Sequence, residues 1–129
     1  MKTVLFLIPT LGGGGAEKVL VNLANNLDKS KFDVTIQTVF KSGTNRQFLN
    51  EDVHLIEGKI KQFSGNVLLQ KFFSPQFLYN RIIGKRYDIV VSYLEGITMR
   101  IVAGCPFQDS KLVAWIHVEH NSAAHASHY

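Results

Sequence analysis

Cysteine, proline and tryptophan are scarce in this chain, which has one Cys, three Pro and one Trp in 129 residues. With Cys105 alone, no intramolecular disulfide framework can form and no second thiol completes a redox or zinc pair. A reducing compartment is the simpler expectation. Long apolar runs are missing too, and no window approaches the ~20 apolar residues of a membrane-spanning helix. The short apolar stretch after Met1-Lys2-Thr3 stops at Pro9 without the small-residue cleavage site of a secretion signal. These absences predict a cytoplasmic protein. An acidic excess is also lacking: 14 Lys and Arg against 10 Asp and Glu give a net charge of +4. That balance suits phosphorylated ligands, an anionic membrane face or nucleic acid, and does not choose among them.

What is present is an ordinary globular composition, 46% hydrophobic and 19% charged, at a length that predicts one domain over residues 1–129. The continuous apolar run Val4-Leu5-Phe6-Leu7-Ile8 reads as a strand buried on both faces, as in a parallel sheet covered by helices. Ala16, Val19, Leu20, Leu23, Ala24 and Leu27 recur at three- and four-residue intervals and predict an amphipathic helix. Phe32 to Phe40 reads as the second strand, Val53 to Ile56 as a short third, Asp88 to Tyr93 as a fourth and Lys111 to His117 as a fifth. A short helix is expected from Gly96 to Ala103, and Pro75 is expected to separate two helices. The alternation predicts an α/β fold with a doubly wound, Rossmann-like parallel sheet.

Between the first strand and the first helix lies Ile8-Pro9-Thr10-Leu11-Gly12-Gly13-Gly14-Gly15-Ala16-Glu17-Lys18. Glycines there let a ligand approach the main chain, and the following helix aims its unpaired N–H groups and positive dipole end at the same spot. The loop is therefore a candidate phosphate cradle, against the plainer reading of a tight turn that binds nothing. It is not a nucleoside-triphosphate P-loop, because Lys18 follows Glu17 and no Gly-Lys-Ser/Thr occurs. A dinucleotide fingerprint fails as well: its third glycine would fall on Glu17, and Thr38-Val39-Phe40-Lys41 supplies no acid for a ribose at the end of the second strand. Asp33 stands at the wrong end of that strand.

The run Leu11 to Val19, with Asn22-Leu23-Ala24 and Phe32-Asp33-Val34-Thr35 after it, resembles the amino-terminal half of a GT-B glycosyltransferase of the large retaining GT4 family. The Gly-Gly-Ala-Glu-Lys element is that family's usual opening. The likeness continues at Tyr93-Leu94-Glu95-Gly96 and at Val113-Ala114-Trp115-Ile116-His117. It implies one of two Rossmann-like domains facing each other across a cleft; the carboxy-terminal, nucleotide-sugar-binding domain with its Glu-x7-Glu motif is not in this chain. On that expectation the chain is a front half, inactive by itself.

The resemblance implies retaining transfer of a sugar from a nucleotide-sugar donor to a saccharide or lipid-linked acceptor, in cell-surface polysaccharide or glycolipid synthesis. Gly13, Gly14 and Gly15 would offer main-chain N–H groups to the donor diphosphate, whose developing charge preorganised donors stabilise. His117 would be the catalytic residue, hydrogen-bonded to the donor sugar near its anomeric centre. Glu95 and His120 would contact acceptor or donor, against the plainer reading of solvated loop residues. Neither metal nor other cofactor is implied: the reaction in such enzymes is generally metal-independent. A zinc reading of His117, His120, His125 and His128 also lacks a Cys partner and a His-Glu-x-x-His order.

The interval from Lys59 to Arg86 mixes basic residues with Phe72, Phe73, Phe77 and Leu78. It reads either as core helices with solvated basic edges or as a surface for an anionic membrane, which would place the protein peripherally on the inner face of the cell membrane. Nucleic acid is not an expected partner, since no basic stripe with interleaved aromatics emerges. The rival from another functional class is a non-catalytic GT-B-like partner subunit or binding module that needs a separate carboxy-terminal half.

Overall fold

Residues 4 to 8 form the centre of the molecule, as their unbroken apolar character requires. The computed structural model describes residues 1–11, 15–41, 48–58, 60–61, 74–93 and 97–115. In chain order these form β1 (Lys2–Ile8), α1 (Gly15–Asn26), β2 (Phe32–Thr38), β3 (Phe40–Lys41), β4 (His54–Ile56), β5 (Ile60–Lys61), α2 (Pro75–Ile82), β6 (Ile89–Tyr93), α3 (Ile97–Ala103) and β7 (Lys111–Trp115). Five strands make one all-parallel sheet in the order β4-β2-β1-β6-β7, and β3 pairs with β5 alone. The protein is thus α/β, with a strand order compatible with a Rossmann-like fold.

Alternation along β1 sorts its side chains onto two cores. Val4, Phe6 and Ile8 join Leu20, Val21 and Ala24 of α1 on one face. Leu5 and Leu7 join Leu78 and Tyr79 of α2 and Ile97, Ile101 and Val102 of α3 on the other. Burial on both faces is why β1 shows no polar alternation.

Four local outcomes differ from the sequence expectations. On α1, Val21 is buried and Val19 is exposed, because the arc through Leu20, Val21 and Ala24 faces the sheet. The second strand stops at Thr38 rather than Phe40. Val39 and Phe40 donate their N–H groups to the carbonyls of Ile8 and Pro9 at 2.9 and 3.0 Å, while Gly58 N–H donates to Thr38 Oγ1 at 2.8 Å. A Cβ at Gly58 would lie 2.2 Å from the Val39 carbonyl oxygen, so only glycine permits this approach.

At Pro75, the expected helix boundary is the start of α2. Ser74 caps it by accepting the Phe77 N–H at 3.2 Å, and Pro75 occupies the first turn, where its missing N–H costs no bond. The helix expected before Pro75 lies outside the described residues. The fourth difference is at Leu78 alone, which the membrane reading would set at a lipid surface and which is a core residue of α2. Arg86 is engaged by Asp88 and Asp109, at 2.9 Å to each. Phe72 and Phe73 lie outside the described residues, and Phe77 is exposed.

Candidate functional site

The order of the strands locates the crevice. From β1 the chain crosses through α1 to β2 on one side, whereas β6 lies against β1 on the other. The carboxyl ends of β1 and β6 therefore flank the point where strand order reverses, and ligands of open α/β sheets bind outside the strands at such a point. The segment after β1 tucks the fully buried Leu11 into the core. The Pro9 carbonyl is taken by Phe40 N–H. These two anchors fix the chain as it enters the glycines.

Gly15 is the first residue of α1 and lies exposed. A Cβ built on it would meet nothing within 4 Å. Among the described residues the positive-φ glycine is Gly84, after α2. Neither packing nor dihedral geometry therefore demands glycine at position 15, and its absent side chain leaves the first turn of the helix open to approach. Gly13 and Gly14 lie outside the described residues.

The end of β6 ties this helix start to the sheet. Tyr93 is fully buried, donates its hydroxyl to the Ala16 carbonyl at 2.8 Å, and lies with its ring 5.7 Å from that of Trp115. Burial, and secondarily the Glu17 carboxylate, push its phenol above the ordinary range, so it stays a donor at neutral pH. Glu17 sits in the first turn of α1, where negative charge complements the helix dipole. Nothing in the residue pattern marks Tyr93 as an anchor; in sequence it is only the last residue of an apolar strand. The contact spans 77 positions, beyond any local periodicity.

Of the residues singled out in the sequence, the structure describes Gly15. Glu95, His117 and His120 lie outside the described residues, with β7 described as far as Trp115. Asp33 is at the amino end of β2, in register with Thr3 and 3.1 Å from His54, so it cannot serve a ribose at the carboxyl rim. Among the described residues no group of three or more His, Cys, Asp and Glu is placed to hold a metal ion. Nor is any helix among them long and apolar enough to cross a membrane.

The crevice can thus offer an anion main-chain N–H groups at the start of α1, held in place by Tyr93 and Leu11. Compared with known proteins, the chain matches no family model and no curated protein sequence.

Proposed function

We propose that this chain is the amino-terminal, Rossmann-like half of a GT-B glycosyltransferase that moves a sugar, with retention, from a nucleotide-sugar donor to a saccharide or lipid-linked acceptor. The observation that carries the reading is positional. Of the element Gly14-Gly15-Ala16-Glu17-Lys18, the part from Gly15 onward starts α1 beside the strand-order reversal, and that helix start is open at Gly15.

Charge developing on a departing diphosphate is stabilised there by fixed N–H dipoles that need not reorient, each worth roughly 3 kcal/mol in comparable oxyanion sites. Metal is not needed for that role. His117, two residues beyond the described end of β7, holds the donor sugar near its anomeric centre, and Glu95 and His120 contribute contacts to the acceptor or donor. A second domain supplies the remaining donor contacts. Exposed Phe77 and Arg81 on α2 are the described part of a surface for the anionic leaflet that carries a lipid-linked acceptor.

Calorimetric titration of the complete protein with a panel of nucleotide sugars tests the reading. Saturable binding of one donor, with turnover lost in His117→Ala at unchanged melting temperature, is the expected result. Absence of binding by every donor, or a near-normal rate in His117→Ala, rejects respectively the donor site or the role of His117.

A further inference from the structure

The opposite rim of the same sheet carries a polar concavity. A cavity of ≈ 570 Å³ opens among the amino-terminal parts of β1, β2 and β4, within the size range of small-molecule sites. The length of β1, roughly 20 Å, separates it from the carboxyl rim of the sheet.

Two nearly buried hydroxyl-bearing residues line it, Thr35 at 6% exposed and Tyr87 at 3%, with their side chains hydrogen-bonded to each other. Burial, and secondarily the charge of Asp33, push the Tyr87 phenol above its ordinary range, so the hydroxyl keeps its proton. The walls are charged. Asp33 Oδ1 lies 3.1 Å from His54 Nε2, and both side chains are open to solvent at 43% and 62%. Glu51 adds a second carboxylate, and the Lys85 ammonium stands 5.3 Å from the Tyr87 ring centre.

These charges select a ligand class. An anion drawn to Lys85 would face the carboxylates of Asp33 and Glu51, and a polycation drawn to those carboxylates would face Lys85. A neutral ligand whose adjacent groups both donate and accept satisfies both sets. Its hydroxyls donate to the carboxylates and accept from the ammonium and the buried hydroxyls. Vicinal hydroxyls on a rigid ring, with C–H faces for the exposed Ile56 side chain that also lines the cavity, are the chemistry of a saccharide. We propose that this cavity is a binding site for a neutral saccharide, separate from the glycine-loop crevice and requiring no glycosyl transfer.

The test is titration of the isotope-labelled full chain with methyl α-glucoside, α-mannoside and α-galactoside, followed by amide chemical shifts. Saturable movement at Thr35, His54 and Tyr87 with at least one glycoside, and none at Gly15 and Ala16, is expected. Asp33→Asn, which keeps a hydrogen-bond acceptor for His54, and Lys85→Met should each weaken binding about tenfold with shift dispersion preserved. Glu51→Gln replaces Asp33→Asn if that variant loses its fold. No saturable shift with any glycoside, shifts confined to the glycine-loop rim, or undiminished binding in the folded variants would overturn the assignment. Stronger movement of the same amides by inorganic phosphate or putrescine than by any glycoside would overturn it too.

Discussion

The two rims of one parallel sheet solve different problems with different atoms. At the carboxyl rim the contacts are made largely by main chain: Val39 and Phe40 N–H on the Ile8 and Pro9 carbonyls, the close approach of Gly58, and Tyr93 reaching the Ala16 carbonyl. At the amino rim side-chain charges dominate. Asp88 accepts the Thr3 N–H at 2.8 Å and pairs with Arg86, which also bridges to Asp109, while Asp33 meets His54. A rim held by main chain fixes the chain on either side of the glycine run, which is what the proposed anion site would require. A rim built of side chains reads its ligand through charge and hydroxyl placement, and it responds to pH and salt.

The largest effect should come from removing the anchor of the carboxyl rim. Tyr93→Ala deletes a fully buried aromatic ring and should cost about 3–5 kcal/mol in denaturant unfolding. Tyr93→Phe keeps the ring and loses only the bond to the Ala16 carbonyl, at about 1 kcal/mol. If the two variants were equally stable, the ring would contribute nothing and the hydroxyl would be the whole anchor. Next, Gly58→Ala forces a methyl group to within 2.2 Å of the Val39 carbonyl oxygen and should cost about 1–3 kcal/mol through displaced backbone. A melting temperature equal to that of the unmutated protein would show that β3 and β5 yield freely.

Acid should act on the amino rim. The Thr3 N–H, then Arg86, holds the Asp88 carboxyl below its ordinary 3.8, and Arg86 lowers Asp109 in the same direction. A lowered folded pKa contributes stability above pH 3.8, lost as pH falls through the folded value. The melting temperature should therefore drop on the acid side of pH 3.8, and Asp88→Asn should flatten that limb. Alkali works with the opposite sign. The raised phenol of Tyr93 contributes stability below pH 10.0, lost as pH rises through its folded value. Tyr93→Phe should flatten the alkaline limb and leave the acid one alone; a change in both would mean that the rims are coupled.

Local pattern made the frame of the fold legible. The apolar run of β1, the three- and four-residue spacing in α1, and the strand segments near β4, β6 and β7 follow from side-chain chemistry within a few residues. The rest depends on register and distance. Which valine of α1 is buried depends on the angle at which the helix meets the sheet, so Val21 replaced Val19 inside. Leu78, readable as a membrane-facing residue beside Phe77, is buried because α2 packs that side against the sheet. The Asp33–His54 contact exists because β4 pairs with β2 so that His54 falls opposite Thr35, a register neither segment encodes alone. The glycines stand out in the sequence as a candidate loop because their chemistry is local, whereas the Tyr93 anchor that steadies the start of α1 does not.

The smallest expected change in stability is at Gly15, and it divides the two meanings of the loop. The position has room for a Cβ, and replacing glycine by alanine in a helix removes conformational freedom from the unfolded chain. Gly15→Ala should therefore leave stability unchanged or raise it, by no more than about 0.5–1 kcal/mol. If the open helix start receives a diphosphate, the same methyl group occupies the path of the ligand. Turnover of the complete protein should then fall while its melting temperature holds or rises, with Gly15→Val showing the larger loss. Opposite signs for stability and turnover would set the carboxyl rim apart as a main-chain anion site. Turnover that follows stability would reduce the glycines to a turn and leave the amino rim as the molecule's one ligand-directed surface among the described residues.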